Sequence, residues 1–288
     1  MKSVEYLLCV SGGNDSIALI QFALDKGLNF ACVYNDTGWA KDGWADRIKL
    51  MSLWLEDVGS FLYTTKSEGM LNLVRRKKGW PMPASAMQFC TQELKVLPTL
   101  QLLDKIDPDK ELTCVNGLRR EESQNRATAP EWVDESSKHG GRELWSPLVR
   151  YTQDMRDALI NRTPFSPLPH SSMECWPCVC ANKADLKALT ADPNRIELIE
   201  STEISMGFTS NKKPRTMFRP YRVGGGVGIR QAVEWGCGKR GHKAKEVPSV
   251  YRYEQGKMTQ GVFDFAYDPE TKEGREFARQ CEGGFCGS

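Results

Sequence analysis

The feature that most constrains the fold is a short apolar segment, residues 6–10, followed directly by the small-residue stretch 11–16 and the apolar run 17–24. This order is typical of a β-strand, a tight loop and an α-helix. Glycine lets backbone N–H groups approach an anion closely, and the N-terminus of the following helix adds donors and positive partial charge. The stretch therefore predicts a phosphate-binding loop, with ligand groups from Ser11, Gly12, Gly13, Asn14, Asp15 and Ser16.

The first half of the chain alternates short apolar strands with helices. This alternation predicts an α/β fold with a parallel sheet covered by helices on both faces. Ligands of such sheets gather at the carboxyl ends of the strands. Pro98 falls within the last predicted helix, which we expect it to kink or split. The predicted strands are 6–10, 30–34, 61–64 and 112–115, and the predicted helices are 15–25, 44–58, 70–77 and 91–103.

The composition changes after about Pro167. Prolines and polar residues over 163–172 are typical of a linker or a surface crossing, and two helices are predicted beyond them, at 183–189 and 194–206. We therefore predict two domains. The first, 1–165, carries the α/β fold and the phosphate loop, and 166–288 form a smaller, mainly helical and irregular, cysteine-rich region packed on it.

Bulk composition excludes several classes of protein. The formal net charge of +2 gives no global signature of nucleic-acid binding, although a basic run at 239–245 suits either a polynucleotide backbone or a solvated surface. No apolar run reaches the length of a membrane span, and the N-terminus resembles no secretory signal, so we expect a cytoplasmic protein without membrane contacts. In such a protein, the 10 cysteines favour metal or redox chemistry over disulfides.

A second polar stretch, Asp36-Thr37-Gly38, follows the second predicted strand. A carboxylate at this position is suited to a ribose hydroxyl or to Mg²⁺. An ordinary turn also explains the stretch, because aspartate and glycine are common turn residues.

The cysteines of the second half have metal-ligand spacing. A Cys-x-x-Cys pair and a distant Cys-x₄-Cys pair supply four thiolates, enough to close one metal site. The thiolates suit zinc as well as a 4Fe–4S cluster, and buried inert cysteines are the other explanation. The predicted ligands are Cys175, Cys178, Cys281 and Cys286, with Cys180 and Cys237 as reserves; Cys9, Cys32 and Cys114 lie in apolar strands and are predicted to be core.

Three segments carry a family resemblance. The stretch 11–16 matches the Ser-Gly-Gly-x-Asp-Ser loop of ATP pyrophosphatases at every specified position. Cys-Thr-Gln-Glu-Leu-Lys at 90–95, and 116–123 with Arg126, resemble two segments of the phosphoadenosine phosphosulfate (PAPS) reductase-like branch of that PP-loop superfamily, whose fold is adenine nucleotide alpha hydrolase-like. The resemblance is strong over about residues 4–160 and loose beyond.

The resemblance implies a site for an adenine nucleotide, with ATP and Mg²⁺ bound at the loop. Catalytic roles are implied for Asp15, Lys95 and Arg119, and nucleotide contacts for Gly117 and Arg126. Lysine and arginine at these positions are suited to phosphate or sulfate, since a guanidinium binds such oxyanions bidentately and an ammonium acts as a point charge.

The chain also departs from true PAPS reductases, because it lacks their C-terminal Glu-Cys-Gly-Leu-His segment, whose thiol takes the sulfo group. We therefore expect an ATP-dependent activating enzyme of the sulfurtransferase kind, which adenylates its substrate and releases pyrophosphate.

The cysteine pairs are similar to those of DNA phosphorothioation sulfur-transfer proteins, which implies an iron–sulfur cluster. The expected acceptor is DNA, tRNA or a small molecule, and the expected sulfur source is a cysteine desulfurase or another donor. An oligomer is compatible with the sequence. The alternatives are a sulfonucleotide reductase and a non-catalytic nucleotide- and metal-binding adaptor in a nucleic-acid modification or defence complex.

Overall fold

The computed structural model describes residues 4–82, 88–123, 126–169, 173–210, 214–218 and 228–239. These residues form two compact units. The first contains 4–70, 90–123, 126–169 and 173–176, and the second contains 71–82, 88–89, 177–210, 214–218 and 228–239. The domain boundary at residue 165 stays a prediction, since most of the last fifty residues lie outside the described part.

A six-stranded sheet forms the centre of the first unit. Its strand order is β3-β2-β1-β4-β6-β5, and every neighbouring pair is parallel except β5 and β6. The mostly parallel sheet confirms the predicted α/β class. The strands are β1 (Tyr6–Val10), β2 (Phe30–Asp36), β3 (Leu62–Lys66), β4 (Thr113–Asn116), β5 (Trp132–Ser136) and β6 (Arg142–Trp145).

The connections place helices on both faces of this sheet. Side chains alternate along a strand, so Leu8 packs with the cluster that contains Ile17, whereas Leu7 packs with the cluster that contains Leu103. The α-helices within the described residues are, in order, α1 (Asn14–Asp25), α2 (Trp44–Asp57), α3 (Met70–Lys77), the single turn α4 (Phe89–Thr91), α5 (Leu97–Ile106), α6 (Gln153–Ile160), α7 (Lys183–Ala188), α8 (Pro193–Met206) and α9 (Ile229–Gly236).

The strand order places a ligand crevice beside β1. From β1 the chain runs outward through β2 to β3, and then returns to β4 on the other side of β1. In open parallel sheets, the carboxyl ends of the strands at such a reversal are where ligands bind. The crevice is therefore expected at the ends of β1 and β4, and the loop after β1 lies there.

The helix predicted over 91–103 is present but irregular. A π-helical segment, Gln92–Val96, joins α4 to α5, and Pro98 lies in the first turn of α5. Proline cannot donate the backbone hydrogen bond of a regular helix interior, and a first turn tolerates that loss. The helix is therefore wider before Pro98 and is not interrupted at this proline. Lys95 lies on the wider, π-helical segment.

Four elements, β5, β6, α6 and α9, were not predicted from the sequence. β6 contains only four residues and carries a buried arginine, Arg142, whose charge is paired with Asp107. β5 is an edge strand with mostly exposed side chains. Neither strand has the apolar run that identifies the inner strands.

The second unit contains α7, α8 and α9. α7 begins with a capping box at Asn182, and Asp192 caps α8, which explains why both helices could be predicted. The buried carboxylate of Glu203 accepts hydrogen bonds from the backbone N–H groups of Met217 (2.9 Å) and Ile229 (3.0 Å). Among the described helices of the chain, none has both the length and the apolar character that crossing a membrane requires.

Candidate nucleotide site

The loop after β1 has the backbone geometry of an anion site. Gly12 has a left-handed φ of +81°, and Gly13, in extended conformation, is the N-cap of α1 without a side-chain cap. The Ser16 hydroxyl accepts a hydrogen bond from the N–H of Ser11 (2.8 Å) and lies 3.1 Å from the Ser11 hydroxyl, which closes the loop. First-turn N–H groups have no partner within their own helix, so the loop offers them to a phosphate.

Two side chains of α2 hold the loop from behind. The indole Nε1 of Trp44 donates to the carbonyl of Ser11 (3.2 Å), and Nε of Arg47 donates to the carbonyl of Gly12 (2.7 Å). A Cβ on Gly12 would lie 2.7 Å from Cδ1 of Ile48, and the residue also has a φ that side chains disfavour. The loop sequence alone did not reveal these supports, although Trp44 and Arg47 are three residues apart and so share a helix face.

A buried ion pair connects the loop to the region after β4. Nε of Arg119 donates to the carboxylate of Asp15, and both side chains are almost fully buried. Nη1 of Arg119 donates to Glu121 at 3.0 Å. Gly117 allows this approach, because a Cβ there would lie 2.9 Å from the carbonyl oxygen of Asp15. The structure thus brings together three residues that were predicted separately.

Asn14 uses its side chain for structure. Its amide donates to the carbonyl of Leu168 (2.9 Å) and accepts from the N–H of the same residue (2.8 Å). The side chain is therefore engaged with the main chain after α6, which leaves the backbone of Asn14 as the group for a ligand.

The end of β2 forms a second group of polar residues. Oδ1 of Asp36 accepts from the N–H of Gly38 (2.9 Å), and Gly38 has a φ of +60°. The hydroxyl of Thr37 is buried and has no hydrogen-bond partner among the described residues. An unpaired buried hydroxyl is unfavourable by about 1–3 kcal/mol, which is typical of a site that binds a ligand or water.

Lys95 forms an ion pair with a buried carboxylate. Its Nζ lies 2.8 Å from Oε2 of Glu174, whose other oxygen, Oε1, is buried without a hydrogen-bond partner in the described part of the chain. Burial, reinforced by the charges of Glu174 and Asp36, raises the pKa of Tyr34 above its ordinary value. Lys95 therefore lies among charged groups near the end of β2, and sequence reasoning missed Glu174 because nothing in its spacing marks it.

Arg126 is also paired, with Glu122 four residues earlier. Together with Asp15–Arg119 and Lys95–Glu174, this pair means that each cation predicted to bind an oxyanion contacts a carboxylate. The positive charge available to a ligand is therefore smaller than the sequence suggests.

The predicted metal ligands are only partly within the described residues. Sγ of Cys175 lies 3.6 Å from Oε2 of Glu174, and Sγ of Cys178 accepts from the N–H of Cys180 at 3.4 Å. Cys281 and Cys286 lie outside the described part, and the residues that are described contain no group of three or more potential metal ligands. The cluster of four thiolates thus stays a prediction.

The cysteines of the strands behave as core residues. Cys32 and Cys114 are fully buried, and burial raises the pKa of both thiols. Cys9 is only partly buried by side-chain exposure but packs against the core cluster that contains Cys114, and burial raises its pKa to about 12. None of the three is suited to thiolate chemistry near neutral pH.

Comparison with known proteins agrees with this geometry. The model of the phosphoadenosine phosphosulfate reductase domain matches residues 5–171, more than half of the chain. The chain is also similar to an uncharacterised 37.8 kDa protein of Escherichia phage 186, with 23% identity over an alignment that covers 75% of this chain and 80% of the phage protein. The phosphate loop, the parallel sheet and this match lead to one conclusion: the chain belongs to the phosphoadenosine phosphosulfate reductase domain family, a nucleotide-binding branch of the PP-loop superfamily.

Proposed function

We propose that the protein is an ATP-dependent activating enzyme that transfers an adenylyl group to an acceptor and releases pyrophosphate. An acceptor oxygen attacks the α-phosphorus of ATP, the bond between the α-phosphorus and its bridging oxygen breaks, and pyrophosphate leaves with the electron pair. A sulfur nucleophile then displaces AMP from the adenylated acceptor. We propose DNA, tRNA or a small molecule as the acceptor. The sulfur donor likewise belongs to the proposal.

The observation that carries the proposal is the loop itself. Its sequence has every residue that the ATP pyrophosphatase pattern specifies, and its backbone offers the uncapped first turn of α1 at the carboxyl edge of the sheet. Backbone N–H groups at a helix N-terminus recognise phosphate without any side chain. Such a site suits the β,γ-pyrophosphate of ATP, which PAPS does not contain.

The charge of the site favours a nucleotide bound with a divalent cation. Because the carboxylates of Asp15 and Glu174 pair with Arg119 and Lys95, the site has little uncompensated positive charge to offset a triphosphate. When Mg²⁺ is bound, it neutralises charge that develops on the leaving phosphates. Asp36 is a fitting oxygen ligand, since its carboxylate follows β2 and only Oδ1 is used by Gly38 in the described contacts.

The residues of the chain act mainly by orientation. The N–H groups of the loop bind and orient the pyrophosphate, and the Asp15–Arg119 pair fixes the first turn of α1 against Gly117. Lys95 supplies charge to the phosphates if its pairing with Glu174 is exchanged for a phosphate oxygen. Orientation and electrostatic stabilisation of this kind account for most catalysis in phosphoryl chemistry.

A second function, sulfonucleotide reduction, is favoured by the family match itself. It requires a thiol that attacks the sulfur of PAPS and a dithiol such as thioredoxin that regenerates the enzyme. Cys286, two residues from the end of the sequence, is the candidate for this thiol in place of its predicted role as a metal ligand, and it lies outside the described residues.

Product analysis separates these functions. The full-length protein would be incubated with Mg²⁺ and ATP labelled at the α-phosphate, together with nucleic-acid and small-molecule acceptors, and in parallel with PAPS and reduced thioredoxin. AMP or an adenylated product with pyrophosphate supports the proposal, and sulfite from PAPS supports reduction. Nucleotide binding without either product supports the adaptor.

A matched pair of glycine variants links turnover to the loop. Gly12 and Gly27 both have left-handed φ, but a Cβ on Gly12 meets Ile48, whereas a Cβ on Gly27 meets nothing within 4 Å. Gly12→Ala should abolish pyrophosphate release, and Gly27→Ala should preserve it. Equal activity of the two variants would contradict the placement of the reaction at this loop.

The iron–sulfur cluster is a separate part of the proposal. Anaerobic purification should give a brown protein that absorbs near 400 nm, about the wavelength typical of iron–sulfur clusters, whereas zinc gives a colourless protein. Cys175→Ala or Cys281→Ala should remove the metal, and Cys9→Ala should leave it in place. Unchanged metal content in the first two variants would rule out this set of ligands.

A further inference from the structure

Arg47 is a charged residue held in an environment that disfavours charge. Its Nε donates to the carbonyl of Gly12, and its Cζ lies 4.8 Å from the ring centroid of Phe165 and 5.7 Å from that of Trp44. Nη2 is buried and has no hydrogen-bond partner among the residues that the structure describes. Burial accordingly lowers the pKa of Arg47 below its ordinary value.

This arrangement is costly for a residue that only fills space. A buried donor without an acceptor is unfavourable, and a methionine or leucine would pack between two aromatic rings without that penalty. The two rings stabilise the guanidinium through cation–π contacts, which offset only part of the desolvation. The function of the charged side chain therefore depends on the hydrogen bond that its Nε donates to the carbonyl of Gly12.

That hydrogen bond sets the direction of a peptide group. In a planar trans peptide, the C=O and N–H groups point in opposite directions. Trp44 fixes the carbonyl of Ser11 and Arg47 fixes that of Gly12, so the N–H groups of Gly12 and Gly13 point away from α2. The N–H of Gly13 donates a long hydrogen bond, 3.4 Å, to the Ser11 hydroxyl, and a phosphate oxygen can replace that hydroxyl as the acceptor.

We propose that Arg47 is a positioning residue for the phosphate-binding loop, acting through the carbonyl of Gly12 and never through direct contact with the reacting atoms. It holds the Gly12–Gly13 peptide in the orientation that binds the β,γ-pyrophosphate. The inference rests on the proposed function for the identity of the ligand. It adds a residue outside the loop and outside the three segments that carry the family resemblance.

The test uses two substitutions at Arg47 in the full-length protein. Arg47→Met keeps an unbranched side chain between the rings but removes the donor, and Arg47→Gln keeps an N–H donor for the carbonyl. Arg162→Met is the matched control, because Arg162 lies in the same unit and pairs at the surface with Asp25. The measured quantities are the Kd of Mg-ATP and of pyrophosphate by calorimetry, the rate of pyrophosphate release, and the Tm.

Arg47→Met should weaken both Kd values by about tenfold, which corresponds to the free energy of roughly one oriented hydrogen bond. Arg47→Gln should recover part of this loss. Arg162→Met should bind as the wild type does.

Wild-type affinity in Arg47→Met would overturn the inference. So would equal losses in Arg47→Met and Arg47→Gln, since equal losses indicate a packing role. Failure of the wild-type protein to bind either ATP or pyrophosphate would instead refute the proposed function, and the two failures are thereby distinguished.

Discussion

Gly117→Ala tests whether the close approach of β4 to the loop matters. The added Cβ would lie 2.9 Å from the carbonyl oxygen of Asp15, 3.2 Å from its carbonyl carbon and 3.3 Å from its Cβ. Two of these atoms are backbone, so the first turn of α1 or the end of β4 must move. Such overpacking costs about 1–3 kcal/mol, against a gain of about 0.4–1 kcal/mol from the lower entropy of the unfolded chain.

Gly79→Ala is the matched control. Neither glycine has a left-handed φ, and a Cβ on Gly79 meets nothing within 4 Å. The control should show only the entropic gain, so the two variants should differ by about 2 kcal/mol in the free energy of unfolding. In a protein of this size, that difference corresponds to a Tm lower by roughly 4–8 °C for Gly117→Ala.

The assay combines thermal unfolding with calorimetric titration of Mg-ATP into each variant. We expect Gly117→Ala to lose both stability and nucleotide affinity, because the displaced turn carries the N–H groups that bind phosphate. If Gly117→Ala and Gly79→Ala have the same Tm and the same Kd, the reasoning from this contact is refuted.

The buried pair, the buried histidine and the cysteines give three further predictions. Asp15→Asn should lower the free energy of unfolding in urea by about 1.5–3 kcal/mol, since it removes the buried charge-assisted hydrogen bond to Arg119 and leaves Glu121 as the carboxylate that pairs with this guanidinium. Adding Arg119→Met should recover part of that stability without restoring activity, and a double variant no more stable than Asp15→Asn would contradict this. Burial lowers the pKa of His139 to about 4, so the unfolded chain binds the extra proton at a higher pH than the folded protein does. Stability should therefore fall by up to about 3 kcal/mol as the pH drops from roughly 6.5 to 4, and His139→Gln, compared by urea unfolding at each pH, should lack that part of the loss. The exposed Cys237 should react with iodoacetamide at pH 8 well before the buried Cys32 does, as measured by mass spectrometry, and equal rates would show that β2 is not buried as described.

The fold and the loop could be predicted because their signals are local. The inner strands are apolar runs, and the glycines after β1 have a single structural explanation once a strand precedes them and a helix follows. The predicted bounds of β1 and α3 are those of the structure, and β2 extends two residues further, to Asp36. The bounds of these elements are set by residues that are close together in the sequence, so a local pattern is enough to predict them.

The surroundings of the loop could not be predicted, because they depend on contacts between distant residues. Glu174 pairs with Lys95 across 79 positions, and Arg47 reaches Gly12 across 35. The sequence shows a lysine suited to phosphate, but only the structure shows the carboxylate that partly neutralises it. The π-helical segment before Pro98 likewise keeps the helix continuous although Pro98 has no backbone N–H to donate. No sequence pattern predicted this segment.

Every proposed role above depends on the loop 11–16 binding the pyrophosphate part of an adenine nucleotide. The most direct measurement is calorimetric titration of Mg-ATP into the full-length protein, with and without saturating pyrophosphate. We expect one ATP to bind per site and saturating pyrophosphate to abolish this binding by competition. ATP binding that is unaffected by pyrophosphate, or no binding of either ligand, would contradict it.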